Sequence, residues 1–128
     1  MARTRTPSRR KQHRYDVSGA SNAFVELTHP QPGGPLYKLP LCDIGVSGLR
    51  FSFTEEFPGI EVGTSFSPVA ICIGDCRIRG ELVIMHLTEV SESVVHAGAL
   101  FYPASDEELI LVKGVVAGLD AAQSPSEL

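Results

Sequence analysis

The chain has no tryptophan, three cysteines, and no apolar run approaching the roughly 20 residues that cross a bilayer as a helix. Cys72 and Cys76 lie four apart, but no second Cys/His pair has the spacing of a zinc site. They read as strand cysteines, with Cys42 as the odd one left over, and no metal is expected. No apolar segment follows the N-terminus as it would in a signal peptide, so a reduced, cytoplasmic setting is expected. Also missing are a nucleophile–base arrangement, a phosphate-cradling glycine loop and paired acids in a common context. That argues against an enzyme, and no catalytic residue is assigned. His13, His29, His86 and His96 fall in unrelated contexts.

Carboxylates are absent from residues 1–14, which carry Arg3, Arg5, Arg9, Arg10, Lys11 and Arg14. The remaining residues hold five basic side chains and all fifteen acidic ones, so the overall charge of −4 hides a cationic arm beside an acidic body. The arm has Pro7 and Ser8 and neither structural period, and is expected to be mobile. It has no aromatic or leucine face, so membrane insertion is not expected. An acidic body without an aromatic platform for bases also argues against a nucleic-acid partner.

Beyond Tyr15–Gly19 the chain reads as strands. Phe24–Leu27 is a short β-rich run ending in the turn cluster Pro30–Pro35. Leu36–Ile44 is a second strand, in which Pro40 predicts an edge or a bulge. Leu49, Phe51 and Phe53 alternate with Arg50 and Ser52, predicting an inward apolar face; Asp43–Gly48 is then a turn made of residues that tolerate unusual backbone angles. Glu55–Gly63 connects to strands over Thr64–Ile73 and Cys76–Leu87, joined by a two-residue turn at Gly74-Asp75. Ser93–Tyr102 is the sixth. Arg50, Arg77 and Arg79 read as solvated strand positions.

The period then changes. Ser105-Asp106-Glu107-Glu108 is a capping box that starts a helix at Asp106, with Leu109, Val112, Val116 and Leu119 on one stripe and Gly114 and Gly118 lowering its propensity. The expected organisation is an arm over 1–14, a domain over 15–120 and a frayed tail over 121–128. The expected fold is all-β, a six-stranded antiparallel β-barrel with one C-terminal α-helix and a flexible basic N-terminal arm, because closure removes exposed sheet edges.

Two motifs bear on function. Arg10-Lys11-Gln12-His13-Arg14 fits RxxxR, and Asp43-Ile44-Gly45-Val46-Ser47-Gly48 nearly fits a DxSxxG motif about thirty residues later. With Gly98-Ala99-Leu100-Phe101 before the last helix, residues 9–119 resemble the PilZ domain family, the bacterial receptor module for the second messenger cyclic di-GMP. They are most similar to the PilZ half of flagellar-brake-type proteins, here without the usual N-terminal partner domain. The resemblance implies that Arg10 and Arg14 grip phosphate and guanine edges, that Asp43 accepts from guanine or orients an arginine, and that Gly48 lets a base approach the backbone. The ligand chemistry suits guanidinium, which can fork onto a phosphate or lie flat on a purine. Arg9, just before the first motif, points to a stacked ligand pair.

Gly45 departs from the motif serine, and Ser47 is the nearby hydroxyl that could stand in. The implied ligand-binding set is Arg9, Arg10, Arg14, Asp43, Gly45, Ser47 and Gly48. The implied role is a cyclic di-GMP receptor whose arm orders on binding and signals to a protein partner in motility, biofilm formation or secretion. The alternative is a degenerate adaptor that acts by protein contact without nucleotide. A nucleic-acid binder using the basic arm is a third reading.

Overall fold

A computed structural model describes residues 13–20, 22–30, 33–54 and 59–123. Its elements in chain order are β1 (Tyr15–Asp16), β2 (Ala23–Thr28), β3 (Leu36–Ile44), β4 (Gly48–Thr54), β5 (Ser65–Ile73), β6 (Cys76–Glu89), β7 (Val94–Pro103) and α1 (Asp106–Gln123). All neighbouring strands run antiparallel in the order β1-β3-β2-β5-β6-β7-β4, and β4 also pairs with β3. That last pairing closes the six expected strands into a barrel. The seventh, β1, lies in the Tyr15–Gly19 stretch, which carries no strand period.

Alternation builds the barrel. Leu49 and Phe51 on β4, Ile78, Leu82 and Ile84 on β6 and Ala97 on β7 are fully buried, while the residues between them face outward. Each large apolar side chain so buried contributes about 1.5–3 kcal/mol, which is why this pattern fixes the register. The Gly74-Asp75 turn forms as expected between Ile73 and Cys76, with Gly74 at a left-handed φ of 58°. The anticipated bulge in β3 falls just after Pro40, between Leu41 and Asp43.

One side of β3 is shared. Its first half pairs with β2 over Leu36–Pro40, and its last residues Asp43 and Ile44 pair with Asp16 and Tyr15 of β1. The Val17 amide extends this by donating to the Cys42 carbonyl at 2.8 Å. Two residues are too few to carry a period, so β1 exists because β3 overruns β2 and leaves backbone groups to be paired.

The helix packs Val112 and Val116 on the barrel, and Glu108 joins this buried stripe. The expected capping box forms by half. The Glu108 amide donates to Ser105 Oγ at 3.3 Å, but the Glu108 carboxylate, instead of reaching back, accepts from the Arg79 amide at 2.7 Å and pairs with the Arg79 guanidinium at 3.4 Å. The helix also runs to Gln123 rather than fraying after Asp120. Gln123 Nε2 donates to the Asp16 carbonyl at 2.7 Å, which ties down the last turn. Among the described residues no helix is long and apolar enough to cross a membrane.

Candidate functional site

The β3–β4 turn and the strand entering from β1 converge on Asp43. The turn is short because β4 begins at Gly48, and the Gly45 amide donates to the Gly48 carbonyl at 2.8 Å. Contrary to expectation, neither Gly45 nor Gly48 has a positive φ; among the described glycines that conformation belongs to Gly33, Gly59, Gly63 and Gly74. Glycine is needed here for close approach. A Cβ on Gly45 would lie 2.6 Å from the His13 carbonyl oxygen and 3.2 Å from Arg14 Cγ. One on Gly48 would lie 2.9 Å from the Ala99 carbonyl oxygen and 3.3 Å from Arg14 Nη2. The two glycines are thus the bed on which His13 and Arg14 lie.

Arg14 reaches over Gly48 to Asp43, Nη1 to Oδ1 at 3.5 Å, and Arg50 approaches from β4, Nη2 to Oδ2 at 2.8 Å. The Asp43 side chain is only 13% exposed, against 38% for Arg14 and 46% for Arg50. Oδ1 is buried and receives no hydrogen bond from the described residues, the Arg14 approach being an ion-pair contact too long for one. Two guanidiniums flank Asp43, with Asp16 as a second carboxylate near Arg50, and a buried acceptor oxygen is left for a donor.

Arg50 is the residue that sequence reasoning missed. Its side chain is exposed, as expected, and its Cα pairs in register with Asp43. The signal was present: a tight turn at Gly45–Gly48 sets that register, and alternation turns Arg50 outward on the same face. Arg77 and Arg79 are exposed, as expected, and pair with Glu26 at 2.8 Å and Glu108 at 3.4 Å, away from this site. The register extends the row outward from Asp43 and Arg50 to Gly98 on β7 and His86 on β6, whose imidazole packs over Gly98.

Of the other expected site residues, Ser47 is exposed at the tip of the turn, and its carbonyl accepts from the Phe101 amide at 3.1 Å. Arg9 and Arg10 lie outside the described residues. Cys42, beside Asp43, is buried with its Sγ 3.9 Å from His96 Nε2. Burial pushes its thiol pKa up, so it stays protonated at neutral pH and is a poor nucleophile. A hollow of about 550 Å³ lies over β5, β6 and β7, lined by Ser67, Arg79, Glu81 and Tyr102 among others. Its size does not outweigh the unsatisfied oxygen and convergent charges at Asp43.

No family sequence model matches the chain, and no curated protein matches it in sequence. Solved structures do match in fold. The PilZ domain of YcgR from Escherichia coli, with c-di-GMP, superposes with a TM-score of 0.72 at 11% identity, covering 89% of this chain and 93% of that domain. The K. pneumonia MrkH–c-di-GMP complex gives 0.73 at 15% identity, covering 90% of this chain and 54% of MrkH. The Bacillus subtilis inhibitor of motility MotI/DgrA gives 0.67 at 11%, covering 90% of this chain and 53% of that one. The chain spans about half the length of MrkH and MotI/DgrA. Its fold is that of a PilZ-like domain.

Proposed function

We propose, from the premise of a PilZ-like fold, that this chain is a cyclic di-GMP receptor module. The observation that carries the reading is the buried Oδ1 of Asp43, which accepts no hydrogen bond among the described residues, between Arg14 and Arg50. A guanine offers N1–H and N2–H donors on one edge, suited to a carboxylate, while the two phosphodiesters suit the guanidiniums. The structural neighbours solved with c-di-GMP add to this support.

In this reading the functional unit comprises an arm over 1–14 and a barrel domain from residue 15 that includes the helix to Gln123. Arg14 and Asp43 contact ligand directly, and Arg9 and Arg10 supply further cations from the arm, which orders as ligand binds. Ser47 offers a hydroxyl at the rim, and Gly45 and Gly48 keep the seat of the arm flat. The mechanism is binding, not catalysis, and the ordered arm presents a new surface to a cytoplasmic protein partner in motility, biofilm formation or secretion.

A nucleotide-free adaptor is the second reading, and one observation favours it: Asp43 already has two cationic neighbours. Thermal unfolding separates the two. Cyclic di-GMP at about 100 times its Kd stabilises a receptor by about 2.7 kcal/mol. The melting temperature is expected to rise with cyclic di-GMP and to rise less with cyclic di-AMP, whose adenine lacks the N1–H and N2–H donors. No shift with either dinucleotide would favour the adaptor.

A further inference from the structure

The four residues His13–Asp16 face two ways. Arg14 lies on Gly48 and Asp43, the His13 ring packs tilted against Tyr15 with centroids 4.6 Å apart, and Asp16 pairs with Asp43 across the strands. On the other side the Tyr15 hydroxyl donates to Asp120 Oδ1 at 2.7 Å, and the Asp16 carbonyl accepts from Gln123 Nε2 at 2.7 Å. A two-residue strand therefore joins the Asp43 site to the last turn of α1.

That turn has little support of its own. It carries Asp120 and no basic residue, so a carboxylate sits at the negative end of the helix dipole. Gly114 and Gly118, with nothing within 4 Å of where a Cβ would be, weaken the helix just before it. Ala121 and Ala122 are exposed. The turn is helical where Tyr15 and Asp16 hold it.

We infer that β1 is a latch coupling occupancy of the Asp43 site to the helicity of the last turn of α1, so that this turn reports ligand binding on the face away from the ligand. The coupling rests on the receptor reading; the latch itself does not. A ligand that fixes Arg14 on Asp43 also fixes Tyr15 and Asp16, which follow it in the chain. By reciprocity, whatever factor the ligand adds to the stability of the latch, the latch adds to ligand affinity.

Hydrogen exchange on the full chain, with and without cyclic di-GMP, tests both parts. In ligand-free protein, Tyr15→Phe is expected to speed exchange of the amides at 119–123 while those at 109–113 stay unchanged. In wild type, saturating cyclic di-GMP slows exchange at 119–123, and Tyr15→Phe weakens binding by about two- to tenfold, the range for losing one modest hydrogen bond. Unchanged exchange in the ligand-free variant overturns the latch. A saturable titration that leaves the exchange at 119–123 unaltered overturns the coupling alone. Absence of any titration overturns the receptor reading and the coupling with it, while the ligand-free comparison still decides the latch.

Discussion

Gly45 is where a residue-level reading of the motif and the packed structure diverge most. As a departure from DxSxxG, it reads as a lost hydroxyl, for which Ser47 could stand in. In the structure the position is already filled by the His13 backbone, 2.6 Å from any Cβ placed there. Gly45→Ser is therefore expected to hurt. It forces the carbonyl of His13 and the side chain of Arg14 aside, at an overpacking cost of about 1–3 kcal/mol if the arm stays docked. Calorimetric titration with cyclic di-GMP, together with a melting curve, should show weaker binding and no gain in stability. Tighter binding at unchanged melting temperature would mean that the serine was the missing part and that His13 yields freely. A motif can report which residue is absent, but a backbone contact from thirty residues away leaves no mark in the local sequence.

Elements were legible in proportion to their length. Leu49, Phe51 and Phe53, or Ile78, Leu82 and Ile84, repeat often enough to declare both a strand and its buried face. β1 has two residues and no repeat, and only the overrun of β3 creates it. The helix was readable from its apolar stripe, whereas the turn of Glu108 toward Arg79 required knowing that β6 passes beneath its first turn. Gly114 and Gly118 carry a prediction at this scale, since both positions are open. Gly114→Ala and Gly118→Ala are each expected to raise stability by about 0.5–1 kcal/mol, read as a higher urea midpoint at unchanged slope. A fall would mean that something packs against that face.

At the scale of the whole molecule, two titrating groups on β1 act at opposite ends of the pH range. Hydrogen bonds from the Ser18 hydroxyl and amide hold Asp16 below its ordinary 3.8, so the folded state binds fewer protons there; its contribution is present above that value and lost as pH falls. The bond to Asp120 raises the Tyr15 phenol above its ordinary 10.0, so its contribution is present below that value and lost as pH climbs. Urea midpoints across pH are expected to show a shallower acid limb in Asp16→Asn and a shallower alkaline limb in Tyr15→Phe. Limbs identical to wild type would remove both groups from the linkage. The barrel as a whole was foreseeable because closing six antiparallel strands leaves no open edge. Arg14 and Asp43, which the motifs mark, do meet in an ion pair, and Arg50 joins them only through the barrel's register.

The most direct measurement is a calorimetric titration of the full chain with cyclic di-GMP at physiological salt, repeated on Asp43→Ala and Arg14→Ala. The expected result is saturable binding to wild type, with a stacked pair per chain rather than a single ligand. Each variant should lose about tenfold or more in affinity, the scale of one charge-assisted hydrogen bond. Wild-type protein giving no heat at high micromolar ligand, or variants binding as tightly as wild type, would contradict the assignment of Asp43 and its arginines as the ligand site.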